Sequence, residues 1–285
     1  MTHPEITTRT AFREYLLSEN KSGSNKAASY LRAMDLLEGL LRDHPLGFGD
    51  CRDLWSVASV ERLNELLLRV TEEQKNHENS PWFLPEQPSY LGGGFIKAAL
   101  GHYRLFLVAH QHEQTLLDLL RTHQGDPDEL AAILNQDPDL PDFLETELEG
   151  KEAIRQTKVR INQSGFRRVI LEIYNHRCCV TGLDLPDLCI ASHIIPWAEN
   201  TKTRMDPRNG LCLSATYDRA FDSYLITFDE DYRLIVSKEI RDHYRNEHAR
   251  ELFEKKAGQV IHLPDNPKRR PLQEYLDVHR KQVAS

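Results

Sequence analysis

His193, Asn209 and Asp218 are the residues of this chain whose types and spacing could do chemistry together. His193 closes the run Ala191-Ser192-His193. Asn209 follows an Asp206-Pro207-Arg208 turn, and Asp218 lies nine positions beyond the asparagine. A neutral imidazole near its ordinary pKa can take a proton from water. A carboxylate is a hard oxygen donor of the kind Mg²⁺ prefers, and that ion completes its shell with water and phosphate. A bound divalent ion offsets charge on the non-bridging and leaving oxygens of a phosphodiester. An asparagine amide can brace a turn and orient a histidine through a carbonyl, which fixes the tautomer. Metal-assisted phosphodiester hydrolysis is therefore chemistry open to this set. Each residue also has an ordinary role available: a satisfied core histidine, a turn asparagine before Gly210, a charge on a helix surface. Their order within one short segment favours the chemical role.

Such residues need elements to position them. Leu188-Cys189-Ile190-Ala191 is a short apolar strand that delivers Ser192 and His193, and Ile194-Ile195-Pro196 carries the chain away. Gly210 to Leu213 is a second strand, and Ser214 is a candidate N-cap for a short helix carrying Tyr217, Asp218, Phe221 and Asp222. Leu225 to Phe228 and Leu234 to Val236 flank an acidic turn, the pattern of a hairpin. Upstream, Phe166, Val169, Ile170, Ile173 and Tyr174 form a helical apolar stripe. Lys151, Arg155, Lys158, Arg160, Arg167 and Arg168 lie largely off it. That basic face is either a phosphate-contacting surface or a solvated one.

Residues 166–237 resemble the HNH endonuclease superfamily. The resemblance rests on Cys179-x-Thr181-Gly182, Ser192-His193-Ile194-x-Pro196-Trp197, Pro207-Arg208-Asn209-Gly210-Leu211-x-Leu213 and Phe221-Asp222. It covers about a quarter of the chain through several linked motifs. It implies a ββα-metal fold, with His193 as general base, Asn209 as the bracing residue and the third motif position as a ligand of one divalent ion, Mg²⁺ before Mn²⁺ or another transition metal. The third position is commonly His. Here it is Asp218, or Tyr217 if the register is that of relatives with His one residue earlier. The residue before the catalytic His is often acidic, and here it is Ser192, so Asp218 is expected to hold the ion with help from Ser192 and Asp222. Many such proteins carry a zinc knuckle of paired cysteines. This chain has Cys179 but Gly182 at the partner spacing, and Ser214 and Tyr217 where the second pair would lie, so no structural zinc is expected. Arg167, Arg168, Arg208 and Arg219 are the candidate phosphate contacts; their ordinary role is in surface ion pairs. By resemblance the substrate is DNA, double-stranded, and the setting a bacterial restriction or defence system. One site nicks, and a homodimer would cut both strands. The competing expectation is a catalytically degenerate HNH-fold protein that binds DNA or regulates.

The whole chain of 285 residues carries a net charge of −8, unusual for a partner of nucleic acid. The charge is unevenly spread. Residues 151–285 hold 23 basic and 19 acidic side chains, and the remainder holds 13 and 25. The C-terminal half is thus the half suited to a phosphate backbone. Residues 126–150 hold nine acidic residues, no Lys or Arg, and Pro127, Pro138 and Pro141. The expected organisation is α+β: an all-α N-terminal domain over 1–125 for sensing, target reading or dimerisation, an acidic linker over 126–150, and an HNH domain over 151–285. Within the first part, Asn79 to Gly94 reads as a loop because of its prolines and glycines, and Phe95 to Arg121 as a long helix. Trp55, Trp82 and Phe83 read as core before ligand contacts. No apolar run approaches the roughly 20 residues a membrane span needs. The N-terminus lacks the charged and apolar regions of a secretory signal. Five cysteines form no even disulfide ladder. A cytoplasmic protein with reduced thiols, off the membrane, is expected.

Overall fold

The computed structural model describes residues 8–19, 24–122, 127–136, 138, 140–147 and 151–283. The chain divides into two compact units, Met1–Gln111 and His112–Ser285.

The first unit is built from helices α1 (Thr8–Glu19), α2 (Lys26–Asp43), α3 (Val60–Lys75), α4 (Pro88–Leu91) and the first part of α5 (Phe95–Thr122), with no strand among its described residues. Apolar side chains at helical spacing meet inside it: Phe12 and Leu16, Met34, Leu37 and Leu41, Leu63, Leu66 and Val70 are all fully buried. Ser59 caps α3 by accepting from Arg62 N at 3.1 Å. Trp82 is fully buried and donates Nε1–H to the His44 carbonyl at 2.7 Å, so it is core. Trp55 packs edge-on to Tyr103 at 5.4 Å. The stretch expected as a loop before α5 contains one helical turn, α4, with Pro88 at its start. A proline there presets φ and lacks only an N–H that would have no helical partner.

The second unit holds α6 (Pro127–Leu134), α7 (Asp142–Glu147), α8 (Lys151–Ile173), β1 (Cys189–His193), β2 (Gly210–Ser214), α9 (Ala215–Asp222), β3 (Ile226–Phe228), β4 (Leu234–Val236), α10 (Lys238–Asp242), α11 (Glu247–Ala249) and α12 (Gln273–Arg280). The protein is thus helix-rich, with two small antiparallel sheets in its C-terminal half. β1 pairs with β2 so that Ser192 faces Leu211 and His193 faces Gly210. β3 pairs with β4 around a turn in which Asp229 Oδ1 accepts from Asp231 N and Arg233 N. Phe166, Val169 and Ile170 of α8 join Leu211, Leu213, Phe221, Phe228 and Leu276 in one core. Gly210 is required where β2 meets α8. A Cβ there would overlap Ile170 Cδ1 and lie 2.8 Å from Phe166 Cζ. The five cysteines are buried and free.

The acidic stretch expected as a linker carries α6 and α7, and Leu134, Leu140 and Leu144 are buried. Asn135 Oδ1 accepts from Met205 N at 2.9 Å, and Glu145 pairs with Lys158 at 2.9 Å. Its described part is therefore packed within the second unit. Among the described residues no helix is long and apolar enough to cross a membrane.

Candidate active site

A cleft of about 540 Å³ in the second unit is lined by Ser192 and His193 of β1, Trp197 beyond it, Asp218, Arg219 and Asp222 of α9, and His279 of α12, among others. β2 runs directly into α9 after Ser214. α9 packs on both, so the strand end and one face of the helix meet.

His193 is half-buried. Its ring lies flat on Phe166, with centroids 3.7 Å apart and planes at 16°, and meets the edge of Trp197 at 5.4 Å. Nε2 lies 2.9 Å from the Arg204 carbonyl. A carbonyl only accepts, so Nε2 carries the hydrogen and Nδ1 keeps its lone pair. Nδ1 has no hydrogen-bond partner among the described residues. Burial pushes the imidazole pKa down to about 4, against a smaller opposing effect of the Arg204 carbonyl. The ring is neutral at physiological pH, the state a proton acceptor requires.

Asn209 is fully buried. Its Oδ1 accepts from Ile195 N at 2.7 Å, and its Nδ2 donates to the carbonyls of Thr203 at 3.1 Å and Ile195 at 3.2 Å. Its own carbonyl accepts from Ile194 N at 2.9 Å. The amide thus clamps Ile195 to Thr203, the residue before Arg204, whose carbonyl holds Nε2, while the Asn209 backbone carbonyl holds Ile194. The bracing expected of an asparagine here runs through backbone on both sides of the loop.

Asp218 and Asp222 sit one helical turn apart and both line the cleft. Burial raises the pKa of each. Ser192 and Arg219 lower that of Asp218, and the charge of Asp218 raises that of Asp222 further. Neither carboxylate has an ion-pair partner within 4 Å among the described residues. Ser192 is 3% exposed; its Oγ is close enough to act on Asp218, yet it has no hydrogen bond of good geometry. Two unneutralised carboxylates beside an orphaned buried hydroxyl suit a hard cation that finishes its shell with water and phosphate. Among the described residues no group of three or more His, Cys, Asp or Glu is arranged to hold a metal ion, so protein donors alone would leave such an ion's shell incomplete. Tyr217 turns the other way. It is 2% exposed and its hydroxyl donates to the Leu252 carbonyl. Of the two registers open in the sequence, the carboxylate at 218 is the one that reaches the cleft.

The four arginines separate. Arg219 is exposed on the cleft, and Arg168 is half-exposed on α8. Arg208 is turned inward. It makes a two-pronged contact with Asp206 at 3.0 and 2.8 Å and another with Asp128 at 2.7 Å, and its side chain is only 11% exposed. Arg167 donates to the carbonyls of Cys189 and Pro186. These two are engaged within the fold, which corrects the expectation that they face phosphate.

His279 lines the same cleft; in the sequence it stands apart from any ligand spacing, and no role is read for it there beyond its place in a tail, Glu274 to Arg280, that resembles the ends of such proteins. It is 4% exposed, and burial pushes its pKa down to about 4. A buried neutral histidine opposes folding in acid, because the unfolded chain, with an ordinary pKa near 6.5, binds more protons between about pH 4 and 6.5. Stability from this group is present above that window and is lost as pH falls through it, by about 2 kcal/mol at pH 5. Asp218 and Asp222, with raised pKa values, act in the opposite sense. Urea denaturation at pH 7 and pH 5 is therefore expected to show a smaller acid loss in His279→Gln than in the wild type. An equal loss in both proteins would contradict the burial of a neutral ring.

Residues 178–229 match the family model described as HNH endonuclease. The match contains β1, β2, α9 and β3, and with them His193, Asn209, Asp218 and Asp222. It excludes Phe166 and α12. No curated protein matches the chain. The second unit thus carries an HNH endonuclease domain, a class that acts on nucleic acid and generally uses a divalent metal ion.

Proposed function

From an HNH endonuclease domain with this geometry, we propose that the protein is a metal-dependent endonuclease hydrolysing DNA phosphodiester bonds, with β1, β2 and α9 as its ββα-metal unit. The observation that carries this reading is the lone pair of His193 Nδ1 in the same cleft as the Asp218 and Asp222 carboxylates.

His193 accepts a proton from water at Nδ1 as the water attacks phosphorus. The Arg204 carbonyl keeps the hydrogen on Nε2 and stabilises the positive ring that forms. Asn209 holds both ends of the loop, so the imidazole need not reorganise during reaction. Asp218, Asp222 and Ser192 Oγ would hold the divalent ion, which supplies charge stabilisation to the phosphate and leaving oxygens. Arg219 on the cleft and Arg168 on α8 contact neighbouring phosphates. Trp197, at right angles to the imidazole, covers one side of it against bulk water.

The basic balance of residues 151–285 supports DNA as substrate, and duplex DNA is the form we assign. The motif resemblance supports a bacterial restriction or defence role, with a homodimer for double-strand cuts. The chain's overall character fits the cytoplasm. A binding-only reading draws on Ser192 at the usually acidic position and on the sparse donor set. It predicts salt-dependent DNA affinity without cleavage.

Titrating Mg²⁺ and Mn²⁺ into a cleavage assay tests the metal assignment. Asp218→Asn, which keeps shape and removes charge, is expected to lower the rate at fixed metal by more than about 10-fold, partly recovered at high Mn²⁺. Wild-type rates in Asp218→Asn at every metal concentration would remove Asp218 from the site.

A further inference from the structure

Beyond the segment that matches the family model, the chain's C-terminal helix makes the contacts of a scaffold for the site. We propose that His279 is a positioning residue that fixes the Asp218 and Asp222 carboxylates from α12, an inference that rests on the metal-dependent reading above. Its ring lies on Phe221 with centroids 3.7 Å apart and planes at 2°. Nε2 is 3.1 Å from the Phe221 carbonyl, and Nδ1 is 3.0 Å from Thr227 Oγ1. A carbonyl only accepts, so Nε2 donates, and Nδ1 accepts from the Thr227 hydroxyl. Thr227 is itself buried in β3. The ring therefore ties the last turn of α9 to β3 at the residue that precedes Asp222.

The tie matters because of what α9 lacks. It is eight residues long, and Ser214 at its N-cap makes no side-chain capping bond. The missing cap loosens the N-terminal end. The last turn closes through Tyr224 N and Leu225 N, which donate to the Phe221 and Ala220 carbonyls at 2.9 Å. So short a helix depends on packing for its position, so that any shift of this turn would move Asp222. α12 is anchored independently. Leu272 N donates to the Arg208 carbonyl at 3.1 Å, Tyr275 Oη donates to Asp206 Oδ2 at 3.2 Å, and Arg280 donates to the Phe228 carbonyl at 3.0 Å. One helix thus holds both the turn that leads into Asn209 and the end of the helix that carries the carboxylates. Groups that orient metal ligands typically matter by 10–100-fold in affinity.

The test is direct Mn²⁺ binding, by electron paramagnetic resonance of the free ion, to the full chain and its variants, with circular dichroism to confirm folding. His279→Phe keeps a flat ring on Phe221 and loses both hydrogen bonds. It is expected to weaken Mn²⁺ binding about 10-fold. His279→Gln retains a donor and an acceptor and is expected to recover most of that loss. A residue that only filled space would give the reverse order, and that result overturns the proposal. So does wild-type affinity in folded His279→Phe. Failure of the wild type to bind Mn²⁺ at all would remove the metal reading itself, and the positioning role with it. Binding that is lost in Asp218→Asn but kept in His279→Phe would leave the metal reading standing and reject only the brace.

Discussion

His193→Ala is expected to cut DNA about 10²–10⁴-fold more slowly than the wild type, the usual contribution of a positioned general base. The expectation follows from three features of one ring. Its Nε2 is committed to the Arg204 carbonyl, its Nδ1 has no partner among the described residues, and burial keeps it neutral with a pKa near 4. Alanine removes the acceptor but leaves the carboxylates and Arg219 in place. DNA affinity and its salt dependence should therefore persist, since these come from phosphate contacts. The Phe166 ring loses its stacking partner, so the variant is also expected to be somewhat less stable, and assays belong well below its melting temperature. A variant retaining more than a tenth of the wild-type rate would place the base elsewhere.

Asn209→Ala should fail differently, through the fold. Asn209 is fully buried, and its amide satisfies Ile195 N–H and the carbonyls of Ile195 and Thr203. Truncation leaves these three backbone groups buried without partners, at about 1–3 kcal/mol for each group that water does not reach. A net loss of about 3 kcal/mol is expected, read as a lower urea midpoint. Cleavage should fall with it, because the loop holding Nε2 loses its clamp. Asn209→Asp separates shape from hydrogen bonding. Its carboxylate can accept from Ile195 N but cannot donate to either carbonyl, and it buries a charge. It should therefore be no more stable than the alanine variant. Near-native stability in either protein would show that Asn209 is not the clamp.

The candidate site was legible where its residues are local. His193, Asn209 and Asp218 fall within one short segment, and short apolar runs marked β1, β2 and the hairpin around them. The register of the third position was left open between Tyr217 and Asp218. Helical period bears on it: Tyr217 shares a face with Ala220 and Phe221, all buried, whereas Asp218 shares a neighbouring face with Asp222. The arginines were not legible, because charge alone does not reveal that Asp206, two residues before Arg208, turns back to meet it. The packing of α6 and α7 was hidden by prolines and acidic residues that outweigh Leu134, Leu140 and Leu144 in composition but not in the core. His279 was beyond reach for a different reason. Its partners Phe221 and Thr227 lie more than fifty positions away, and its following the buried Leu276 by three on α12 marks an inward face without showing what it meets.

We propose hydrolysis of DNA by the second unit, with His193 as base and a divalent ion in the cleft. Its most direct test is cleavage of supercoiled plasmid by the full chain in Mg²⁺ or Mn²⁺ and in EDTA, beside His193→Ala. Nicked or linear product is expected with metal, none in EDTA, and little or none from His193→Ala. Plasmid left intact under every metal by a folded protein that still binds it would rule out the nuclease, and cleavage undiminished in His193→Ala would rule out His193 as its base.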